Sequence, residues 1–276
     1  MKNEDRKSLE QSVVTAMDGT DPELYAYLPY ILQDIWEIGT DPHVMVRLAR
    51  RHASEKPELE VLDLGCGKGA VSIALARMLP CRCHGIDAVE AFIDEARQKA
   101  LAFGVADRCT FEAGDIRVWV VRDADTKAVA GAESGAASVP KFDIIVLGAI
   151  GPVLGDYFET LTRLSRYLIR DGVILIDDGY IPDGSTFSHP LILRKGEIDH
   201  QIARAGMRLV DEEVIGADDM RTSNEAIHQP LVRRCRELME KHPEKRRLFE
   251  GYIRKQEEEV DVLENRIVCS TMVVTR

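Results

Sequence analysis

Residues 60–77, EVLDLGCGKGAVSIALAR, constrain this chain more than any other stretch. The run opens with Val61, Leu62 and Leu64, apolar and broken only by Asp63. Gly65, Gly67 and Gly69 follow, and then Val71, Ile73, Ala74, Leu75 and Met78 supply an apolar helical face. The pattern predicts a buried strand, a glycine turn and a helix. Gly65 and Gly67 can take backbone conformations closed to other residues, and their missing side chains let a ligand lie against the main chain. The helix that follows presents unpaired N–H groups at the same spot.

Two ligands suit such a turn. A dinucleotide would rest its pyrophosphate on the helix N-terminus, and Gly65-x-Gly67-x-x-Ala70 with Asp87 downstream satisfies the relaxed form of that fingerprint. S-adenosylmethionine, which has no phosphate, is the other. Asp63 separates them. A carboxylate at the strand's end repels a pyrophosphate but attracts the ammonium of a methionine moiety.

Here the sequence resembles the class I S-adenosylmethionine-dependent methyltransferases. Their first motif is matched by DLGCGKG at residues 63–69, and the end of their second strand by HGIDAVE. FEAGDI matches the third strand, FDIIVLGAI the fourth and DGVILIDDG the fifth, in the family's order between residues 60 and 178. The resemblance implies an α/β, Rossmann-like, doubly wound and mostly parallel seven-stranded sheet with an antiparallel last strand. N-terminal helices and a helical insertion before the last strand would be added to it. It also implies that S-adenosylmethionine is held by Asp63, Gly65, Cys66, Gly67, Asp87, Ala88, Gly114, Asp115, Ile116 and Gly148. In that assignment Asp87 takes the ribose hydroxyls and Asp115 lies beside the adenine. The expected domains are an N-terminal helical extension at residues 1–55 and a methyltransferase domain at 56–276, with the insertion at about 218–264.

Methyltransferases acting on amino groups of DNA bases or glutamine often carry an Asn/Asp-Pro-Pro-aromatic motif after the fourth strand. This chain has Gly148-Ala149-Ile150-Gly151-Pro152 there, with no side chain to accept the amine's hydrogen bonds in that way. The net charge of −11 lacks the basic surface of a nucleic-acid binder. Arg233, Arg234 and Arg236, then Lys245, Arg246 and Arg247, are interleaved with glutamates as on a solvated, ion-paired helix face. The expectation is a small-molecule acceptor and no nucleic-acid partner. No apolar run approaches the roughly 20 residues of a membrane span, and the polar start of the chain does not read as a signal peptide. A cytoplasmic enzyme without a membrane partner is expected. The six cysteines are scattered, and Cys81-x-Cys83-His84 reads as buried strand cysteines rather than a metal site. No metal is expected.

The acceptor side is less defined. Asp177-Asp178 ends the fifth strand, where Asp178 is a candidate to take a proton from a hydroxyl or amine, or to bind a divalent ion. The competing reading is an Asp-Gly turn. Tyr30, Trp36 and Tyr180 are candidate substrate contacts. Glu225 and His228, at helical spacing ahead of Pro230, are candidate polar groups, with His228 as a base. Residues before Thr20 read as weakly ordered, residues 22–38 as a helix interrupted by Pro29, and residues 153–169 as another helix. Residues 127–140, rich in Ala, Gly and Ser, read as a surface loop. Two amphipathic helices before the last strand would form a cap over the active site or the surface of a homodimer. Two other function classes stay open. One is a nicotinamide-dependent oxidoreductase, although no Tyr-x-x-x-Lys pair is present, and the other is a non-catalytic nucleoside-binding module.

Overall fold

A computed structural model describes residues 3–120 and 139–276. Most of the expected loop at 127–140 lies outside the described residues. The strands are β1 (Leu59–Leu64), β2 (Cys81–Asp87), β3 (Cys109–Ala113), β4 (Phe142–Gly148), β5 (Leu168–Tyr180), β6 (Arg208–Val214) and β7 (Val268–Thr275). The labelled helices are α1 (Asn3–Ala16), α2 (Leu28–Ile31), α3 (Pro42–His52), α4 (Ala70–Met78), α5 (Glu90–Ala102), α6 (Tyr157–Leu164), α7 (Lys195–Arg204), α8 (Ala217–Lys241) and α9 (Arg246–Asn265). Among the described residues, no helix is long and apolar enough to cross a membrane.

The seven strands form one mixed, mostly parallel sheet, as expected, and its order is β3-β2-β1-β4-β5-β7-β6. The near-continuous apolar runs of β1 and β4 follow from burial on both faces. Val61 pairs with Ile144 and Leu62 with Ile145, and all four are buried. The strand order reverses between β1 and β4, which opens a crevice at the strands' carboxyl ends.

The chain divides into two compact units. The larger comprises Thr40–Asp178, Lys195–Glu213 and Thr271–Arg276. In it, Asp41 caps α3 by accepting the His43 amide at 2.7 Å, with Pro42 in the first turn as predicted. Val44, Met45, Leu48 and Ala49 form the buried face of α3. Its C-terminal Arg51 and His52 both meet Asp211, at 2.7 and 2.6 Å. Buried Asp143 ties down the approach to β1, accepting from Ser54 Oγ, from Lys56 and from the Glu60 amide.

Residues 153–169 do not form one helix. Gly155 has φ 101°, Asp156 caps the shorter α6, and Leu168 already belongs to β5. Leu154 and Leu168 are buried as expected, but from a loop and a strand.

The smaller unit comprises Met1–Gly39, Gly179–Arg194 and Val214–Ser270. The N-terminal segment is a helix rather than weakly ordered, with Val14 fully buried beside Gly19. Residues 22–38 are not a single helix either. A 3-10 turn over Pro22–Tyr27 gives way to the four-residue α2, because Pro29 lacks an N–H and fits only a first turn. The apolar residues of that stretch are nonetheless core: Leu24, Leu28, Ile31, Leu32 and Ile35 are buried. Helix α8 packs on α9, and the N-terminal segment packs on both. Tyr27 meets the Phe249 ring edge-on, and Tyr30 donates its hydroxyl to Glu237 at 2.5 Å. Arg233 and Arg234 bind Asp34, and Lys245 binds Glu23, so these basic residues are ion-paired as read.

Candidate active site

The glycine turn after β1 lies at the switch point. Gly65, Gly67 and Gly69 have φ of 75°, 52° and 76°, values that L side chains rarely adopt. The Gly65 and Cys66 amides donate to the Ile86 carbonyl at 2.8 and 3.1 Å, tying the turn to β2. Asp87 completes the tie. Its carboxylate accepts the Gly67 amide at 2.9 Å, the Val89 amide at 2.8 Å and a further bond from the Ala88 amide. Burial raises the Asp87 pKa and these three amides pull it back.

Asp63 is placed beneath the turn. It is 2% exposed and accepts the Ser72 hydroxyl at 2.7 Å together with the Ser72 amide. Its carboxylate thus occupies the first turn of α4 from the inside. Burial pushes its pKa up to about 6, against the pull of Ser72. Lys68, buried on the other flank, pairs with Glu95 at 2.8 Å. After β3, Gly114 donates to the Asp87 carbonyl at 2.8 Å. Asp115 is paired with Arg117 at 2.8 Å, and its carboxylate accepts the Arg117 amide as a helix cap. Ile116 is buried behind it.

The adjacent ends of β4 and β5 hold a second set of groups. Gly148 and Asp177 are register partners, and Ala149, with φ 52°, donates its amide to the Asp177 carbonyl at 3.1 Å. Asp177 is buried, and burial raises its pKa to about 7, with Asp178 and Asp41 adding to the rise and Thr40 opposing it. Thr40 is 4% exposed, and its hydroxyl meets the Asp177 carboxyl without a hydrogen bond of ordinary geometry. That hydroxyl lies 2.9 Å from the place a Cβ on Gly148 would occupy. Asp178 accepts the Tyr157 hydroxyl at 2.7 Å, and burial with this carboxylate drives the Tyr157 pKa well up. Asp178 was legible in the sequence as a candidate. Thr40 and Tyr157 were not, because Thr40 hides ahead of a helix cap and Tyr157 inside a helix.

The remaining candidates belong to the smaller unit. The Tyr30 hydroxyl is engaged by Glu237 and by Lys241 at 2.7 Å. Trp36 and Tyr180 are half-buried, and Glu225 is exposed on α8. His228 has a buried Nε2 without a hydrogen-bond partner and lines an open cavity of about 470 Å³ with Val232, Arg236 and Glu257. The cysteines are all buried, with Cys81 and Cys83 Sγ atoms 3.8 Å apart on one face of β2.

The sheet order, the glycine turn and the acidic strand ends are those of a Rossmann-like methyltransferase. A methyltransferase-domain model matches residues 55–227, and the chain belongs to that family. It is 27% identical over 158 residues to a release factor glutamine methyltransferase of Chlorobaculum tepidum, covering 48% of this chain and 49% of the relative. It is 26% identical over 140 residues to a ribosomal protein L11 methyltransferase of Thermosipho africanus, covering 50% and 45%. The chain thus spans about half the length of the curated relatives it matches. The fold is shared more fully with a solved S-adenosylmethionine-dependent methyltransferase from Geobacter sulfurreducens, in complex with S-adenosylhomocysteine. That match has a TM-score of 0.68 at 20% identity, over 91% of this chain and 97% of the other.

Proposed function

We propose that this methyltransferase uses S-adenosylmethionine to methylate a low-molecular-mass acceptor. The donor, when bound, supplies a methyl group on a sulfonium centre that is open to attack by a nucleophile. The residues present fit it. The turn is bare backbone at Gly65 and Gly67. A carboxylate has about four acceptor sites, so Asp87 keeps room for a ribose hydroxyl beyond its three amides. A pyrophosphate fits poorly, since Asp63 already occupies the first turn of α4. In this reading Gly65, Cys66 and Gly67 line the donor, Asp87 and Ala88 hold its ribose, and Gly114, Asp115 and Ile116 flank its base. Gly148 borders the methyl end, and Asp63 braces the turn from below. The chain's share in catalysis is to align the partners and exclude water, which can supply much of the acceleration.

The observation that carries the low-mass acceptor is the end of β4. Residues 148–152 offer glycine, alanine, isoleucine and proline where a planar amide or base edge would need a hydrogen-bonding side chain. The two curated relatives are named for protein substrates, yet each matches only about half of its own length. Incubation with donor labelled on its methyl group and a cell extract, followed by size separation, tests the reading. Label is expected in the low-mass fraction. Label confined to precipitated protein or nucleic acid would overturn it.

A further inference from the structure

We propose that Thr40 and Asp177 form the proton-receiving wall of the acceptor pocket, and that the acceptor is a protonated aliphatic amine. The inference rests on the methyl-transfer reading above and names the substrate class of the same site. Four observations meet at the paired ends of β4 and β5. Asp177 is the register partner of Gly148. The Thr40 hydroxyl is buried against the Asp177 carboxyl and packs on Gly148, 2.9 Å from where a Cβ would stand, without a hydrogen bond of ordinary geometry to either. A buried hydroxyl left in that state is costly unless something completes it. The charged neighbours acting on Asp177, namely Asp178 and Asp41, are both carboxylates, and Asp178 is itself anchored by Tyr157.

The chemistry of this wall selects among nucleophiles. A carboxylic acid or phosphate would meet like charge on three aspartates. A neutral alcohol is too weak an acid for a carboxylate to deprotonate. An ammonium gains from each charge, can donate one N–H to Asp177 and another to Thr40 Oγ1, and must lose a proton before its nitrogen has a lone pair. In that step an N–H bond breaks and an O–H bond forms on the Asp177 carboxylate, leaving a neutral amine and a neutral carboxyl group. The carboxyl then returns its proton to water. Burial places Asp177 near neutrality, closer to an ammonium than an ordinary aspartate, which eases the transfer.

Two measurements test this apart from donor binding. In protein carrying 13C-labelled aspartate carboxyls, one resonance, missing in Asp177→Asn, should titrate near pH 7. It should move on addition of millimolar methylammonium but not of tetramethylammonium, which has no N–H. In transfer assays with aliphatic amines, phenols and carboxylic acids, amines alone should accept label. Asp177→Asn should lose roughly 100-fold in kcat and Thr40→Val roughly tenfold, with S-adenosylhomocysteine binding retained in both. A resonance indifferent to methylammonium overturns the proposal, as does transfer to phenols or carboxylic acids at undiminished rate in Asp177→Asn. Failure of S-adenosylhomocysteine to bind the wild type would instead overturn the donor reading.

Discussion

Asp87 performs two tasks with one carboxylate. It fixes the glycine turn through the Gly67 and Val89 amides, and in the proposed donor site its remaining acceptor positions would take the ribose. Asp87→Ala is expected to weaken S-adenosylhomocysteine binding by on the order of 1.5–3 kcal/mol in calorimetric titration. Unchanged affinity would place the ribose elsewhere. Asp143 is a structural contrast. Its removal takes a buried acceptor away from the Glu60 amide, Ser54 Oγ and the partly exposed Lys56. Asp143→Ala should therefore cost about 1–3 kcal/mol of unfolding free energy in urea, and an unchanged stability would show that water replaces the carboxylate. Legibility at this scale depended on neighbours in sequence. Asp87 stood out as a candidate because it ends a recognisable strand. Asp177 could not be told from Asp178, because adjacent strand residues face opposite sides and only the register with Gly148 shows which one meets Thr40.

At the scale of elements, the turn between β1 and α4 was fully legible, since three glycines in five residues admit few other conformations. Gly69 has φ 76°, and a Cβ there would lie 2.8 Å from the Phe111 ring and 3.0 Å from Ala96. Gly69→Ala is expected to lower stability by about 2 kcal/mol or more, from strain and overpacking together. An unchanged melting temperature would show that the turn relaxes. Where the reading failed, the cause was competition between local signals and packing. Residues 22–38 carry helical spacing, yet Pro29 forces a restart. Leu168 fits the apolar stripe of α6 equally well, but pairing with Phe142 takes it into β5. The N-terminal helix gave little sequence signal, and its order comes from tertiary contacts such as buried Val14.

For the whole molecule, buried carboxyls set the pH dependence of stability. Asp63 and Asp177 have folded pKa values of about 6 and about 7, against 3.8 for an unperturbed aspartate. Between about pH 4 and 7 the folded chain holds protons that the unfolded chain releases, so stability falls as pH rises through that window. Asp211 acts in the other direction. His52 and Arg51 hold it near 2, so its contribution is present above about pH 4 and lost as pH falls toward 2. Scanning calorimetry should therefore give a melting temperature highest near pH 4–5 and declining toward neutrality, with the decline shallower in Asp177→Asn. A melting temperature that rises from pH 5 to 7 would contradict these protonation states.

Which nucleoside the crevice accepts decides between the two ligands that suit the glycine turn. Calorimetric titration of the wild-type chain with S-adenosylhomocysteine and, separately, with NAD is the most direct measurement of it. Saturable binding of S-adenosylhomocysteine at one site per chain, with no binding of NAD, is the predicted result. Binding of NAD with no response to S-adenosylhomocysteine would contradict it.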